Sequence, residues 1–132
     1  MIHINALVKG EQDIPPITKQ FQYDNSSEGI FFSAVEVIKK RLVNNLKINL
    51  NETLLFYCAY VVLELRAGKT VSTIEKNVHR ILSPEKVMVG VPESIQRIIF
   101  EINIDNKLKE TIKFYEPIKI SDYILVSKID DD

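Results

Sequence analysis

The chain has 132 residues, of which 45% are hydrophobic and 27% are charged, and its formal net charge is −1 at pH 7. This length and composition predict one globular domain. A net charge near zero excludes a strong overall attraction to nucleic acid or to an anionic membrane surface. The one cysteine cannot form a disulfide within the chain. No secretory signal is recognisable, and we therefore expect a cytoplasmic protein.

The N-terminal quarter of the chain predicts a short strand followed by an extended arm. Residues 1–8 partly alternate between apolar and polar side chains, a pattern typical of a strand. Glycine and two consecutive prolines then interrupt regular structure before residue 17. We expect residues 1–25 to form an N-terminal arm that lies on the rest of the domain, with Phe21 and Tyr23 as its anchors.

A first helix is predicted from Glu28 to about Val43. Asn25 and Glu28 stand three residues apart, as a capping box requires. The spacing of the apolar residues places them on one face of the helix, and Glu36 and Lys40 are spaced to form an ion pair on the other face. The apolar residues are Phe31, Ala34, Val35, Ile38 and Leu42.

The stretch 49–68 predicts the central helix of the domain. Asn49 and Glu52 form a capping box, and Gly68 suits the position just after the helix. Between residues 53 and 65, eleven of thirteen residues are apolar. This run is too short to span a membrane, which takes about 20 residues. We therefore expect a buried core helix, in which Cys58 is a small core residue. The other expected core side chains are Leu54, Leu55, Phe56, Leu63 and Leu65.

The segment after the central helix predicts two further helices. Ser72 and Glu75 have capping-box spacing, and the helix that they begin should end near Leu82. Ser83 and Pro84 are typical of another helix start. This last helix should be short, because a glycine and a proline at positions 90 and 92 would close it.

The C-terminal third predicts a β-hairpin. Apolar and polar residues alternate over 98–105 and again over 108–114, with a turn between them, and Leu108, Ile112 and Phe114 are expected on the apolar face. The predicted fold is therefore α+β: a helical bundle around a buried central helix at about 50–66, with a small C-terminal antiparallel hairpin or sheet. We divide the single domain, 1–132, into the arm, a core at 26–118 and a tail at 119–132. The tail contains a second apolar patch at 123–126 and ends in three aspartates.

No catalytic constellation is recognisable in the residues. His3 and His79 lie far apart in sequence, and neither has a partner at the spacing of metal ligands. The expected burial of Cys58 argues against a reactive thiol, and no serine lies in a recognisable nucleophile motif. The chain also lacks a glycine-rich phosphate loop. These observations predict a structural or binding role, with no catalytic, cofactor-binding or metal-binding residue on this chain.

An ordered set of short motifs resembles the gamma subunit of microbial urease. The family pattern is L-x-L-N-x-P-E-A before an apolar helix, then D-G-K-[ST]-V, a helix ending in I-L, V-M-x-G-V-P-E-M-I, and a hairpin closing with H-D-P-I. The order and spacing agree without gaps from about residue 30 to 118. The matching stretches here are LKINLNE (46–52), AGKTV (67–71), IL (81–82), VMVGVPESI (87–95) and YEPI (115–118).

The resemblance implies a role in an assembly. In that family the gamma subunit joins beta and alpha subunits, usually as a trimer of heterotrimers. The dinuclear nickel site belongs to the alpha subunit, and the assembly hydrolyses urea to ammonia and carbamate. On this basis we expect a non-catalytic subunit without a cofactor of its own. Its subunit interface would include Gly90, Val91, Pro92 and Glu93, together with Tyr115, which stands where the family has histidine.

Two other interpretations remain open. The first is a stand-alone interaction protein of urease-gamma type that forms a homo-oligomer without urease activity, in which the arm and tail pair with a neighbouring copy. The second is a nucleic-acid module that relies on the basic cluster at 39–41, which the net charge of −1 disfavours. The preferred partners are therefore urease alpha and beta subunits, with neither nucleic acid nor a membrane.

Overall fold

Helices and one antiparallel sheet make up the part of the chain that the structure, a computed structural model, describes: residues 2–11, 14–23 and 27–119. The α+β fold class is confirmed. Two single turns of 3₁₀ helix, Val78–Arg80 and Pro84–Lys86, separate the last two helices. The strands and helices are β1 (Ile2–Lys9), β2 (Ile17–Tyr23), α1 (Glu28–Val43), α2 (Leu50–Arg66), α3 (Val71–Asn77), α4 (Val91–Ser94), β3 (Arg97–Ile104) and β4 (Lys107–Tyr115).

The sheet has the strand order β2-β1-β3-β4, and every neighbouring pair is antiparallel. The hairpin predicted at the C-terminus is present as β3 and β4. Its turn residues Asp105 and Asn106 have φ angles of 52° and 66°, as a tight hairpin turn of the mirror-image type needs. The predicted N-terminal strand is also confirmed, as β1. The predicted arm also contains a second strand, β2, and every residue of β2 pairs with β1.

One face of the sheet packs on the helices and forms the core. Tyr57 of α2 meets the ring of Phe114 at 5.9 Å between centroids, and Phe100 meets Phe114 at 5.6 Å, both with the edge of one ring towards the other. The N-terminal strand takes part fully, although it lies outside the predicted core range. The buried apolar side chains of the sheet are Ile4, Ala6, Val8, Phe21, Ile98, Phe100, Ile102, Ile112 and Phe114.

The central helix α2 begins as predicted. The Glu52 backbone N–H donates to Asn49 Oδ1 at 2.8 Å, and the Asn49 N–H donates to Glu52 Oε1 at 3.0 Å, which completes the capping box. Cys58 is buried, as expected. The prediction for Leu63 was wrong, because its side chain is 42% exposed. None of the helices in the described ranges has the length and apolar content needed to cross a bilayer.

One predicted capping residue was wrong, and another lies outside the described residues. The N-cap of α3 is Thr70, whose hydroxyl accepts from the Thr73 N–H at 3.2 Å. Ser72 lies inside α3 and is not its cap, and the Glu75 carboxylate accepts the N–H of Lys113 on β4 at 2.7 Å. For α1, the residue before the helix is Ser27, which makes no side-chain capping bond, and the predicted cap at position 25 lies outside the described residues.

Ion pairs tie α1 to α2 at both ends. Arg41 Nε lies 3.3 Å from Glu52 Oε2, and Arg66 pairs with Glu28. These bridges join opposite ends of the two helices, as expected for an antiparallel pair, and partly exposed ion pairs of this kind add only modest stability. Within α1, Glu36 pairs at 3.3 Å with Lys39 rather than with the predicted residue at position 40.

The prediction that Leu108 lies on the apolar face of the hairpin was wrong. A bulge interrupts the pairing, because Ile102 lies opposite Glu110 while Asn103 lies opposite Leu108. Because β4 has one extra residue at the bulge, Leu108 lies on the opposite face of the sheet from Ile112 and Phe114. The Leu108 side chain is 55% exposed, while Ile112, beyond the bulge, is fully buried.

The predicted short helix after residue 83 is reduced to one 3₁₀ turn. Pro92 does not close that helix but lies in the first turn of α4. Proline is favoured there because the first turn of a helix leaves its N–H groups without partners in the helix.

Candidate functional site

Two apolar side chains project from the loop between the 3₁₀ turn and α4. Val89 is 98% exposed and Met88 is 42% exposed, and Gly90 follows them with a φ of +92°. We call Met88–Gly90 the apolar knob. Exposed apolar residues of this kind, consecutive and at the tip of a loop, are typical of contact surfaces. The interface residues expected from the sequence, 90–93 and Tyr115, do not include Met88 and Val89, although both fall within the matching motif.

Backbone hydrogen bonds hold the apolar knob in place. The Met88 N–H donates to the carbonyl of Ile48 at 2.9 Å, and the Ile48 N–H donates to Lys86 at 3.1 Å. The Val91 N–H closes the turn by donating to the Met88 carbonyl at 3.1 Å. The segment that leads into α2 therefore supports the knob directly. A knob fixed in this way loses less conformational entropy when it binds than a free loop would.

The interface residues predicted from sequence divide into exposed and buried ones. Gly90 is exposed, while Val91 and Pro92 are buried. Ser94 Oγ donates to the Gly90 carbonyl at 2.8 Å and helps to fix the first turn of α4. The buried Val91 and Pro92 therefore support the base of the knob, and Pro92 also lines the neighbouring groove.

A groove of about 200 Å³ lies beside the apolar knob. Lys47 and Glu93 contribute opposite charges to its lining, and Glu93 Oε2 is buried without a hydrogen-bond partner in the described part of the chain. Ser83 donates to Glu85 at 2.6 Å, and this hydrogen bond lowers the pKa of the Glu85 carboxyl. The remaining side chains of the lining are Pro84, Val87, Met88, Val89 and Pro92.

The connection between β1 and β2 reaches the same region. The Glu11 N–H donates to the Glu93 carbonyl at 3.0 Å, which ties this connection to α4. Gly10 lies against α4, since a Cβ added there would be 2.9 Å from the Glu93 carbonyl oxygen and 3.0 Å from the Ser94 Cα. This close backbone contact requires glycine.

Replacing Gly10 with alanine is therefore expected to destabilise the domain by about 1–3 kcal/mol, the usual cost of an overpacked contact. The measurement is urea denaturation followed by circular dichroism. Gly29→Ala is the matched control, because an added Cβ at Gly29 would have no atom within 4 Å. In the first turn of α1 this control should be neutral or slightly stabilising. Equal midpoints for Gly10→Ala and the wild type would contradict the described contact.

Tyr115 lies at the same end of the sheet as α4. Its ring is 55% exposed, and the Arg97 guanidinium carbon lies 5.6 Å from the ring centroid. The Tyr115 carbonyl oxygen is 3.3 Å from His79 Nε2. Gln96 joins this region to α4, because its side-chain amide donates to the Pro92 carbonyl at 3.2 Å. The contact with His79 links residues 36 apart in the chain, and no local pattern in the sequence indicated it.

The described residues contain no group of three or more histidine, cysteine, aspartate or glutamate side chains that fits a metal ion. Burial raises the pKa of the Cys58 thiol and of the Tyr57 hydroxyl, so both stay protonated at neutral pH. Burial and the neighbouring Glu64 also raise the pKa of Tyr60, whose hydroxyl donates to the Ile74 carbonyl at 2.8 Å.

Comparisons with known proteins agree with one another. The sequence model of the family described as "Urease, gamma subunit" matches residues 24–118. The urease subunit gamma of Halalkalibacterium halodurans (strain ATCC BAA-125 / DSM 18197 / FERM 7344 / JCM 9153 / C-125) is 36% identical over 88 residues, which cover 67% of this chain and 87% of that protein. The range matched by the family includes the apolar knob and Tyr115, and it leaves out β1 and β2.

Proposed function

The chain belongs to the urease gamma-subunit family, and we propose that it is a non-catalytic structural subunit of a nickel-dependent urease. In this proposal it assembles with alpha and beta subunits in the cytoplasm as a trimer of heterotrimers. The assembly hydrolyses urea to ammonia and carbamate at a nickel site on the alpha subunit. The observation that carries the proposal is the family match over 24–118, which includes the apolar knob, α4 and Tyr115.

The apolar knob is the surface that we assign to subunit contact. Burying an exposed valine against a partner contributes about 1.5–3 kcal/mol. Apolar anchors of this kind dominate many interfaces, and the polar residues around them exclude water. The neighbouring groove with Lys47 and Glu93 would supply the polar rim. Tyr115, exposed and packed against Arg97, adds an aromatic contact at the same end of the sheet.

We expect Val89→Glu to weaken binding to the alpha and beta subunits at least tenfold, because the charge would be desolvated at the contact. The chain is co-expressed with both subunits and the nickel-loading proteins of the same genome. The amount of the chain retained on a tagged alpha subunit is measured, and urease activity is assayed in the same preparations. Ile30→Glu is the control, since Ile30 is 77% exposed and lies at the start of α1. Undiminished retention of the Val89 variant would exclude the knob from the interface.

A second candidate is a stand-alone protein of urease-gamma type that forms a homo-oligomer without urease activity. Its arm is already used within the chain, because β1 and β2 pair in the chain's own sheet, so a homo-oligomer would form through another surface. Light scattering of the isolated chain, alone and after the alpha and beta subunits are added, separates the two candidates. A stable homo-oligomer that ignores the added subunits supports the second candidate, and conversion to a mixed complex supports the first.

A further inference from the structure

A second groove, of about 230 Å³, opens at the end of the sheet where β1 ends and β2 begins. We call it the sheet-end groove. Its lining is mainly apolar, with Leu7 from β1, Ile17 from β2 and Ile99 from β3. Leu7, which is 37% exposed, and the half-buried Ile99 lie outside the core, and the half-buried Ile17 lies at the edge of the core. A partly open apolar groove of this size fits a few apolar side chains of a peptide segment.

Two cations lie at the sheet-end groove. Lys9 and Arg97 both line it, and they lie directly opposite each other in the pairing of β1 with β3. Neither has a carboxylate within ion-pair distance among residues 2–11, 14–23 and 27–119. Arg97 Nε is buried and has no hydrogen-bond partner in those ranges. An apolar groove with two cations and a buried free donor is complementary to an apolar segment that carries carboxylates.

The chain itself continues from this end of the sheet. The Glu116 N–H donates to the Gln96 carbonyl at 2.7 Å, and Tyr115 lies opposite Arg97, so β4 ends next to the groove. Ile118, three residues further along, is buried in the core. From β4 to the gap between β1 and β2 is two to three strand spacings, roughly 10–15 Å. About four extended residues cover that distance at ~3.3 Å each. The apolar patch that begins at Tyr123 follows Lys119 by four positions.

The sequence beyond Lys119 has the composition that the sheet-end groove requires. It contains the apolar run Tyr-Ile-Leu-Val at 123–126, preceded by Asp122, and in all four aspartates and one lysine. We propose that residues 120–126 of the same chain bind in the sheet-end groove. The apolar run contacts Leu7, Ile17 and Ile99, and Asp122 pairs with the two cations. This intramolecular docking covers an apolar surface that assembly through the apolar knob leaves open.

Hydrogen exchange of the full chain, followed by mass spectrometry, tests the proposal. We expect the amides of 121–127 to exchange at least about tenfold more slowly than in a free peptide of the same sequence. Leu125→Asp, which leaves every described residue unchanged, should remove this protection. Ile99→Asp, on the groove side, should remove it equally, and the double variant should show no further loss. Ile104→Asp is the control on the same strand, since Ile104 is 37% exposed and does not line the groove.

The possible outcomes separate the occupants of the groove. Protection that is independent of protein concentration and lost in both single variants supports intramolecular docking. Exchange at the free-peptide rate in the wild type overturns the proposal. Protection that rises with concentration assigns the groove to the segment of a second copy, and protection that needs added urease subunits assigns it to a partner. Either of these results also overturns intramolecular docking.

Discussion

Replacing Leu54 with aspartate is expected to abolish folding of the isolated chain. The Leu54 side chain is fully buried in α2. Loss of a buried leucine side chain costs about 2–5 kcal/mol, and an unpaired buried carboxylate costs several more. Domains of this kind are stable by only about 5–15 kcal/mol, so the two losses together approach the whole stability. The far-ultraviolet circular dichroism of the variant should show no cooperative melting.

Leu63→Asp is the matched control, with the same chemical change on the same helix. Leu63 is 42% exposed, so its carboxylate would remain partly hydrated. We expect this variant to stay folded and to melt cooperatively, with a loss of about 0.5–1.5 kcal/mol. A cooperatively melting Leu54→Asp variant would contradict the burial of α2, and an unfolded Leu63→Asp variant would contradict the described orientation of the helix.

This pair of leucines also shows what the sequence can determine. The start of α2 was predictable because a capping box is a local signal, with both partners three residues apart. The orientation of α2 was not predictable, because its apolar residues surround the helix and show no preferred face. The packing partners decide which leucine is covered. On α1, where the apolar residues are periodic, the buried residues Phe31, Val35 and Ile38 were all predicted.

Local signals failed where a distant element competed for the same group. Glu75 has the correct spacing for a capping box with Ser72, yet its carboxylate binds the Lys113 N–H across 38 residues. Leu108 has the correct parity for the apolar face, yet a bulge in the pairing with β3 moves it outward. Both outcomes depend on how β4 is positioned in the folded domain. A short stretch of sequence does not determine that position.

The candidate interface was predictable as a segment but not as a surface. The motif at 87–95 directed attention to Gly90 and its neighbours, while the structure shows that Val91 is buried and Val89 is exposed. Both are valines, two positions apart, so composition does not distinguish them. The difference arises because Gly90 turns the chain with a positive φ between them. The assignment of this surface to subunit contact remains a prediction for the binding experiment.

Replacing Ile4 with lysine is the second change that we expect to unfold the domain. Ile4 is 1% exposed and lies on β1, between β2 and β3, where it pairs with Phe21 and Ile102. An ammonium group at this position would be buried without a partner, which costs several kcal/mol in addition to the lost apolar contacts. We expect the variant to lack a cooperative transition in urea, measured by circular dichroism.

Asn5→Lys is the control, because Asn5 is the next residue on β1 and lies on the opposite face of the sheet. Its cross-strand neighbour is Glu101, so the new lysine meets an opposite charge worth about 0.2–1 kcal/mol. This variant should be as stable as the wild type or slightly more stable. If Ile4→Lys showed the same cooperative urea transition as Asn5→Lys, β1 would not be required for folding. If it unfolds, residues that precede the range matched by the urease gamma family are part of the core of this chain. The domain would then need its own N-terminal strand to fold, whatever partners it binds afterwards.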